Sequence, residues 1–431
     1  MRAIVAKRVD SGTADLAEIE QLAIAAGYEV VGRLTQTRSE DPAYVFGEGK
    51  VAELADLARR TDADAVIVDN EVGPYQTFNI GGALPDGVEV IDRFTLILEI
   101  FGQRANTRKA QLQVELAELR YELPRAEAKA SLAKREERPG FMGLGEYDES
   151  REEDIRSQIS NIKSELDAIS EKEQTRRERR RESGFDLVAL AGYTNAGKST
   201  LLRTLASDLD VDENVDKHPD LDRVAESEDM LFTTLGTTTR RAELDRRDVL
   251  VTDTVGFISD LPHWLVDSFE STLEAVYRAD LVLLVVDASE TIQEIREKLV
   301  TSHDTLYERN EAPILTVFNK VDRVESDELS EKIAALSALA PNPVAVSAKT
   351  GDGIDELRSR IEAELPEWVH ERLLLPMTEE TMSLVSWIHD HGYVETETYE
   401  DDHVLIEFEA RQPIVEQARS RAADLQPSES V

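Results

Sequence analysis

The nonapeptide GYTNAGKST, at residues 192–200, constrains the fold more than any other stretch of this chain. The apolar run FDLVALAG leads into it, and the helical pattern TLLRTLA follows it. A glycine-rich loop between a strand and a helix turns its backbone N–H groups toward a phosphate, where the helix dipole favours negative charge. The pattern therefore predicts an α/β domain that holds a nucleotide phosphate at this loop, although an ordinary glycine turn is the alternative.

Each residue type in this phosphate-binding loop has an expected task. Lys198 would reach the β and γ phosphates, and the hydroxyl of Ser199 would ligate Mg²⁺. Gly192 and Gly197 allow the tight curl of the backbone. We expect the whole loop to bind nucleotide, namely Gly192, Tyr193, Thr194, Asn195, Ala196, Gly197, Lys198 and Ser199.

Three further motifs follow in chain order, each at the predicted carboxyl end of a strand, where ligands of open α/β sheets bind. Asp253 is placed to hold Mg²⁺ through water, and Gly256 would respond to the γ phosphate. Asp322, in FNKVD, can accept two hydrogen bonds from guanine, which adenine cannot both donate. A backbone N–H of the SAK tripeptide would meet the guanine O6. The predicted binding residues are Asp253, Thr254, Val255, Gly256, Asn319, Lys320, Val321, Asp322, Ser347, Ala348 and Lys349.

The segment MLFTTLGTTTRRAEL, residues 230–244, should form the first switch loop and supply a second hydroxyl ligand for Mg²⁺. We expect this ligand to be Thr234, with Thr238 as the second choice. A run of threonines in a solvated, strand-prone loop is the alternative interpretation. The other candidate threonines are Thr233, Thr237 and Thr239, and the residues expected beside the nucleotide are Phe232, Thr233, Thr234, Leu235 and Gly236.

Phe257 follows Gly256 at the position where the best-known GTPases carry a glutamine that orients the attacking water. A phenyl ring has no group that can donate or accept that hydrogen bond. Two substitutes stay open: a K⁺ ion held near Asn195 against the phosphates, or a group supplied by a binding partner. Asn195 could instead only cap the loop. The residues expected to act in catalysis are Lys198, Asn195, Thr234 and Gly256.

The charge balance restricts the possible partners, because 88 acidic residues face 49 basic ones for a formal net charge of −39. It argues against generic nucleic-acid binding, which needs clustered Lys and Arg. The acidic residues are spread through every segment, so we interpret the source as a halophile, by expectation an archaeon. The absence of cysteine, of a signal peptide and of a long apolar run favours a cytoplasmic protein that does not enter a membrane.

Periodicity divides the chain into four predicted regions. Residues 1–105 alternate strand and helix patterns, which predicts a parallel sheet covered by helices. Residues 106–183 contain two long helical patterns, which predict a helical hairpin with the loop ERPGFMGLGEYDES at its tip and a basic linker at its end. Residues 184–366 form the second α/β domain, which carries the phosphate-binding loop. Residues 367–431 predict a small α+β domain with one helix, two strands and a polar tail.

Four further stretches are specific rather than generic, namely VFGEGKVAEL at 45–54, VIDRFTLILEIFGQRANTRKAQLQVELAELRYELPR at 90–125, LFTTLGTTTRR, and DTVGFISDLPHWLVDSFESTLEAV. They resemble the HflX family of ribosome-associated GTPases, within the wider Obg and HflX group. The resemblance covers nearly the whole chain and implies GTP binding, hydrolysis with Mg²⁺, and docking of the N-terminal domain on the large ribosomal subunit. It also implies that Ser199 and Thr234 are the Mg²⁺ ligands.

Two sequence features leave other interpretations open. The basic cluster TRRERRRES, at 175–183, is either a solvated helix end or a patch for ribosomal RNA phosphates. The stretch FGEGK, at 46–50, lacks the full phosphate-loop pattern, so we interpret it as a helix start rather than a second nucleotide site. A different class of function is an RNA-binding or scaffold protein that uses GTP only as a structural ligand. We expect the chain to be a monomer.

Overall fold

The computed structural model describes most of the chain in several ranges. The chain divides into two compact units, the first built mainly on Met1–Ala168 and the second mainly on residues from Ile169 onward. None of the helices within the described ranges has the length and apolar character needed to cross a membrane. The described residues are 1–136, 145–182, 184–206, 238–254, 256–257, 265, 270–307, 310–400 and 402–425.

The first unit contains a four-stranded sheet in the order β2-β1-β3-β4, in which all neighbouring strands are parallel. Its central strands are continuous apolar runs, because helices bury them on both faces. The structure therefore confirms the predicted parallel α/β character of this region. The strands are β1 (Arg2–Val9), β2 (Glu29–Thr37), β3 (Ala65–Val68) and β4 (Glu89–Asp92), and the helices are α1 (Ala17–Ala25), α2 (Glu48–Thr61), α3 (Pro74–Ala83) and α4 (Arg93–Arg104).

Two long helices follow, α5 (Arg108–Glu136) and α6 (Gly145–Glu182). They run antiparallel, because Arg108 near the start of α5 pairs with Glu165 far along α6 at 2.9 Å, while Glu122 pairs with Arg151 near the start of α6. The predicted tip loop was too long. Its last six residues, from Gly145 on, already belong to α6, and residues 137–144 lie outside the described ranges.

The second unit contains a six-stranded sheet in the order β10-β9-β8-β5-β7-β6. Only β6 is antiparallel to its neighbour. This strand corrects part of the prediction of a switch loop over 230–244, since residues 238–243 pair with β7, while residues 230–237 lie outside the described ranges. The strands are β5 (Asp186–Gly192), β6 (Thr238–Glu243), β7 (Asp248–Asp253), β8 (Leu281–Asp287), β9 (Ile314–Asn319) and β10 (Val344–Ala345).

The helices of this α/β region are α7 (Lys198–Leu205), α8 (Glu270–Tyr277), α9 (Ile292–Tyr307), α10 (Ser326–Leu336) and α11 (Ile354–Glu364). The sheet residues Val188, Leu283 and Val317 are completely or almost completely buried in one core cluster with Leu201 of α7 and Leu357 of α11. A core of this kind fixes the carboxyl ends of β5, β7, β8 and β9 along one edge.

The C-terminal region contains one strand and one helix more than the sequence predicted. It forms an antiparallel sheet in the order β11-β13-β12 with two helices, whereas we expected two strands, one helix and a polar tail. The additional elements are β11 and α13, and α13 buries Ile414, Val415 and Ala418 in the region's own core. The elements are β11 (Val369–Pro376), α12 (Glu379–His391), β12 (Tyr393–Tyr399), β13 (His403–Ala410) and α13 (Gln412–Leu425).

Asp186, at the start of β5, joins this C-terminal region to the α/β region. Its carboxylate is completely buried and accepts hydrogen bonds from Arg247 at 3.1 Å and from the indole N–H of Trp368 at 3.3 Å. Arg411 forms an ion pair with the same carboxylate at 3.4 Å and with Asp280 at 3.3 Å. Burial raises the pKa of Asp186, although Arg411 and Arg247 oppose the shift. The amino end of β5 is thus fixed opposite the end that carries the phosphate-binding loop.

Candidate nucleotide site

The phosphate-binding loop (residues 192–199) connects β5 to α7 in the predicted way. Gly197 has φ of 94°, and a Cβ atom there would lie 2.2 Å from Nδ2 of Asn319, so only glycine fits. Helix α7 starts at Lys198, and its N-cap residue, Gly197, has no side chain that could cap the first turn. The first N–H groups of a helix point outward from its N-terminus, so those of α7 are available to an anion.

Lys198 is buried beneath this loop. Its ammonium group donates hydrogen bonds to the carbonyl oxygens of Gly192 at 3.0 Å and Tyr193 at 2.8 Å. Burial lowers the pKa of Lys198 to about 8, although the charge of Asp253 opposes the shift. An ammonium group has three donors, so these two bonds still allow one to a phosphate oxygen.

Ser199 and Asp253 lie side by side, with the hydroxyl of Ser199 donating to a carboxylate oxygen of Asp253 at 2.6 Å. Asp253 ends β7 and is 1% exposed. Oxygen atoms are the ligands that Mg²⁺ prefers, and a magnesium ion usually takes only one or two of them from a protein at a nucleotide site. This pair therefore fits the ion. The next residue, Thr254, is also buried and donates its hydroxyl hydrogen to the carbonyl of Leu190 at 2.7 Å.

The segment after Asp253 pairs with the phosphate-binding loop through backbone atoms. The N–H of Phe257 donates to the carbonyl of Gly192 at 3.0 Å, and the N–H of Thr194 donates to the carbonyl of Phe257 at 2.9 Å. Gly256 lies so close that a Cβ atom there would be 2.8 Å from Thr194 Cγ2 and 2.9 Å from Lys198 Nζ. The side chain of Phe257 is 5% exposed. The phenyl ring is thus buried, and the segment meets the phosphate-binding loop through backbone atoms.

The guanine-recognition motifs lie at the ends of β9 and β10. Asn319 is 2% exposed, and its amide side chain donates to the carbonyl of Ala196 at 2.9 Å and accepts from the N–H of Ala348 at 2.9 Å. The hydroxyl of Ser347 donates to a carboxylate oxygen of exposed Asp322 at 2.7 Å. Asn319 therefore ties the two recognition motifs to the phosphate-binding loop, and Ser347 orients Asp322.

Lys320 adds a second tie, and it leads to a residue that the sequence did not single out. Its ammonium group donates to the carbonyl of Asn195 at 2.7 Å and to the carboxylate of Asp287 at 2.7 Å. Asp287 ends the apolar strand β8, which lies between β5 and β9. The rule that selected Asp253, an acidic residue at the carboxyl end of a buried strand, would also have found Asp287.

The remaining predicted residues have mixed outcomes. Val321 donates its N–H to the carbonyl of Val346 at 3.3 Å, and Lys349 is exposed. Thr238, the second choice for the switch ligand, lies in β6 opposite Asp253, and the hydroxyl of Thr239 is 3.0 Å from that of Thr252.

Other predicted residues lie outside the described ones. Helix α6 extends through the basic cluster, but the side chains of 176–183 are not among the described side chains. Also outside the described residues are Phe232, Thr233, Thr234, Leu235, Gly236, Thr237 and Val255.

Comparison with protein families covers almost the whole chain. The matched families are described as GTP-binding GTPase N-terminal (residues 13–102), GTP-binding GTPase Middle Region (104–180), 50S ribosome-binding GTPase (187–320) and HflX C-terminal domain (332–421). The GTPase HflX of Thermococcus kodakarensis is 39% identical over 390 residues, which cover 88% of this chain and 84% of that protein. This chain belongs to the HflX GTPase family.

Other HflX relatives support the same assignment. The GTPase HflX of Methanocaldococcus jannaschii is 40% identical, covering 89% of this chain and 90% of that protein, and that of Escherichia coli is 34% identical, covering 95% and 92%. As an HflX-family protein with a P-loop GTPase domain, the chain is a GTP-binding hydrolase.

Among solved structures, the chain is similar to the crystal structure of a GTP-binding protein from Sulfolobus solfataricus in complex with GDP, with a TM-score of 0.46 and 22% identity, covering 84% of this chain and 98% of that one.

Proposed function

We propose that this HflX-family GTPase hydrolyses GTP with Mg²⁺ and associates with the large ribosomal subunit and its RNA in a way that depends on the bound nucleotide. Its role would be in ribosome splitting, rescue or assembly. The family matched over 187–320 is described as a 50S ribosome-binding GTPase, which supports the choice of partner. The observation that carries nucleotide dependence is the backbone pairing of Phe257 with Gly192 and Thr194. A γ phosphate that shifts the phosphate-binding loop would therefore also shift the segment around Phe257.

The assignment of roles at the phosphates follows the geometry of the described residues. Ser199 and Asp253 would hold Mg²⁺, Asp253 through water. Thr234 lies outside the described residues, and its role as the switch ligand rests on the family resemblance. The ion supplies positive charge that neutralises the phosphate oxygens. Lys198 would contact the β and γ phosphates with its remaining donor. The backbone N–H of Gly256 would respond to the γ phosphate, since a Cβ atom at this residue would lie only 2.9 Å from the ammonium nitrogen of Lys198.

Hydrolysis needs a group that replaces the missing glutamine at Phe257. We propose that a K⁺ ion ligated by Asn195 supplies positive charge against the phosphates. Asn195 is exposed, and within the described residues its side chain has no hydrogen bond, so a simple capping role is not supported. A potassium-dependent wild type should release phosphate faster in KCl than in NaCl of equal concentration, and Asn195→Ala should lose that difference. Equal rates in the two salts for the wild type would exclude the ion.

At the base, Asp322 would accept hydrogen bonds from N1–H and the exocyclic amine of guanine. The N–H of Ala348 already donates to Asn319, so the N–H of Lys349 is the better donor for O6.

We also propose that the protein acts in the cytoplasm as a monomer. In addition, we propose that the basic cluster at 175–183 contacts ribosomal RNA phosphates.

The alternative function is a ribosome- or RNA-binding scaffold that holds GTP without turnover, which Phe257 favours. Multiple-turnover release of phosphate, measured with and without purified large ribosomal subunits, separates the two functions. A GTPase that acts on the ribosome should release phosphate slowly alone and faster with subunits. The variant Ser199→Ala, which lacks the proposed Mg²⁺ ligand, serves as the inactive control. An absence of release in both conditions would leave the scaffold as the function.

A further inference from the structure

The loop after β8, together with the last residue of the strand (residues 287–290), lies against both halves of the nucleotide site. Its first residue, Asp287, forms the ion pair with Lys320, and the same ammonium group bonds to the carbonyl of Asn195. The side chains of Asp287 and Lys320 are only 10% and 15% exposed. A largely desolvated ion pair therefore connects the guanine-recognition motif to the phosphate-binding loop.

Lys320 and the residue to which it donates, Asn195, both have an unfavourable backbone conformation. Asn195 has φ of 62° and Lys320 has φ of 65°, which side-chain-bearing residues rarely adopt. The hydrogen bond from Lys320 to the carbonyl of Asn195 stabilises the two conformations together. Asp287 accepts from the same ammonium group, so it determines where that group points.

Asp287 is itself held in place from several sides. One carboxylate oxygen accepts from the N–H of Ser289 at 2.9 Å and from its hydroxyl at 2.6 Å. In the next residue, the N–H of Ala288 donates to the carbonyl of Asn319 at 2.8 Å. Burial alone would raise the pKa of Asp287, but hydrogen bonds from Lys320 and Ser289 hold it below its ordinary value. The carboxylate is therefore ionised at neutral pH and fixed in position.

The same loop makes a second contact with the phosphate-binding loop. Glu290 forms an ion pair with Lys298 of α9, and the ammonium group of Lys298 lies 5.0 Å from the centre of the Tyr193 ring. An ammonium group at this distance from an aromatic face is attracted to it. The loop after β8 thus reaches Asn195 through Lys320 and Tyr193 through Lys298.

We propose that Asp287 is a positioning residue for guanine nucleotides. By holding Lys320 against Asn195, it keeps the phosphate-binding and guanine-binding halves at the separation that one nucleotide spans. Asp287 does not touch the nucleotide, and its effect is on how long GDP and GTP stay bound. The inference rests on the placement of the nucleotide in the proposed function.

The test compares Asp287→Ala and Asp287→Asn with the wild type. Without the carboxylate of Asp287, the ammonium group of Lys320 loses the partner that holds it against Asn195. We therefore expect the nucleotide to dissociate faster from the variant. Because some solvent reaches both groups, Asp287→Ala should raise the dissociation constants of GDP and GTP on the order of tenfold. The kcat at saturating GTP should stay within about twofold, while KM rises, as for a lost contact that acts equally in ground and transition states. Asparagine keeps an acceptor for Lys320 but removes the charge, so Asp287→Asn should lie between the other two proteins and release GDP measurably faster than the wild type.

The control is Asp304→Asn, which removes the same charge from an exposed position in the last turns of α9 and should bind GDP like the wild type. A fall in kcat with unchanged KM, or binding by Asp287→Ala within about twofold of the wild type, would overturn the proposal. If Asp287→Ala does not fold, Asp287→Asn decides, since an unchanged GDP dissociation rate would contradict the role of the charge. A wild type that fails to bind GDP would instead refute the proposed function.

Discussion

The two halves of the nucleotide site are held together by different kinds of groups. In the phosphate half, the two chain segments meet through backbone N–H and carbonyl groups of Gly192, Thr194 and Phe257, and side chains such as that of Lys198 are added to this frame. The guanine half consists of side chains that orient one another, such as Ser347 with Asp322 and Lys320 with Asp287. Backbone groups can report on the presence of a phosphate, whereas side-chain groups select the base and retain it. Changes in the guanine half should therefore alter the preference for one base over another, whereas changes in the phosphate half should alter kcat and leave the base preference intact.

The largest expected effect comes from the guanine half, in Asp322→Asn. Asparagine keeps an acceptor for N1–H but presents a donor toward the exocyclic position, so it matches the carbonyl of xanthine instead of the amine of guanine. We expect GTP affinity to fall on the order of a thousandfold and XTP affinity to rise. The measurement is competition of both nucleotides against a fluorescent GDP.

This variant also tests the division between the halves. The kcat of Asp322→Asn at saturating XTP should approach that of the wild type at saturating GTP. The matched control is Asp327→Asn, an exposed acidic residue in the first turn of α10, which should keep the preference for GTP. A lower kcat with both nucleotides would show that the guanine half also acts in hydrolysis.

Lys198→Ala is expected to have the next largest effect. It should lower kcat and leave the preference for guanine unchanged. Removing the buried ammonium group takes away charge that stabilises the phosphates during hydrolysis, so kcat should fall roughly 100-fold or more. The preference for guanine over adenine should not change, which single-turnover measurements with GTP and ATP can establish. A change in base preference of similar size would contradict the division.

A smaller effect is expected from pH, again through Lys198. Its pKa in the folded protein is lowered to about 8 by burial, while the phosphates of a bound nucleotide favour the charged form. Nucleotide binding should then take up a proton above about pH 8, so GDP affinity should fall there by up to about tenfold per pH unit. Binding titrations at several pH values, with Lys198→Met as control, measure this dependence.

The stability of the unliganded protein should change in the opposite direction. A lysine whose pKa is lower in the folded than in the unfolded state favours folding as pH rises from about 8 toward its ordinary value of 10.5. The difference in free energy of unfolding between the wild type and Lys198→Met should therefore shift in favour of the wild type over this range. Parallel pH profiles for the two proteins would contradict the burial of the charge.

The sequence predicted the phosphate half better than the rest of the molecule, because this half depends on local patterns. Gly197, Lys198 and Ser199 lie within one strand–loop–helix unit, and their spacing alone determines their positions. The bond from Ser347 to Asp322 joins residues that come together only when β9 and β10 pair, so only the types of residue were predictable. The family assignment and the α/β fold are confirmed, while the domain boundaries, the switch threonine and the halophilic source stay predictions.

The C-terminal region shows why the sequence prediction failed in places. Helix α13 has apolar residues at helical spacing, with charged residues such as Glu416 and Arg419 between them. Because of these charges, the sequence predicted a polar tail here. In β11, the adjacent charged residues Glu371 and Arg372 precede three consecutive leucines, so the polar and apolar residues do not alternate as in a typical half-buried strand. Both elements are stabilised by packing on one another, with Leu375 of β11 and Val415 of α13 buried in the same core. Such packing depends on tertiary structure more than on local pattern.

The central claim is that the phosphate half controls association with the ribosome. Cosedimentation with purified large ribosomal subunits, in the presence of a non-hydrolysable GTP analogue, GDP or no nucleotide, tests it most directly. We predict that the analogue gives the most bound protein and that Lys198→Ala lowers this amount to the level seen with GDP. Equal binding in all three conditions would contradict control by the nucleotide, and no binding in any of them would contradict the ribosomal partner.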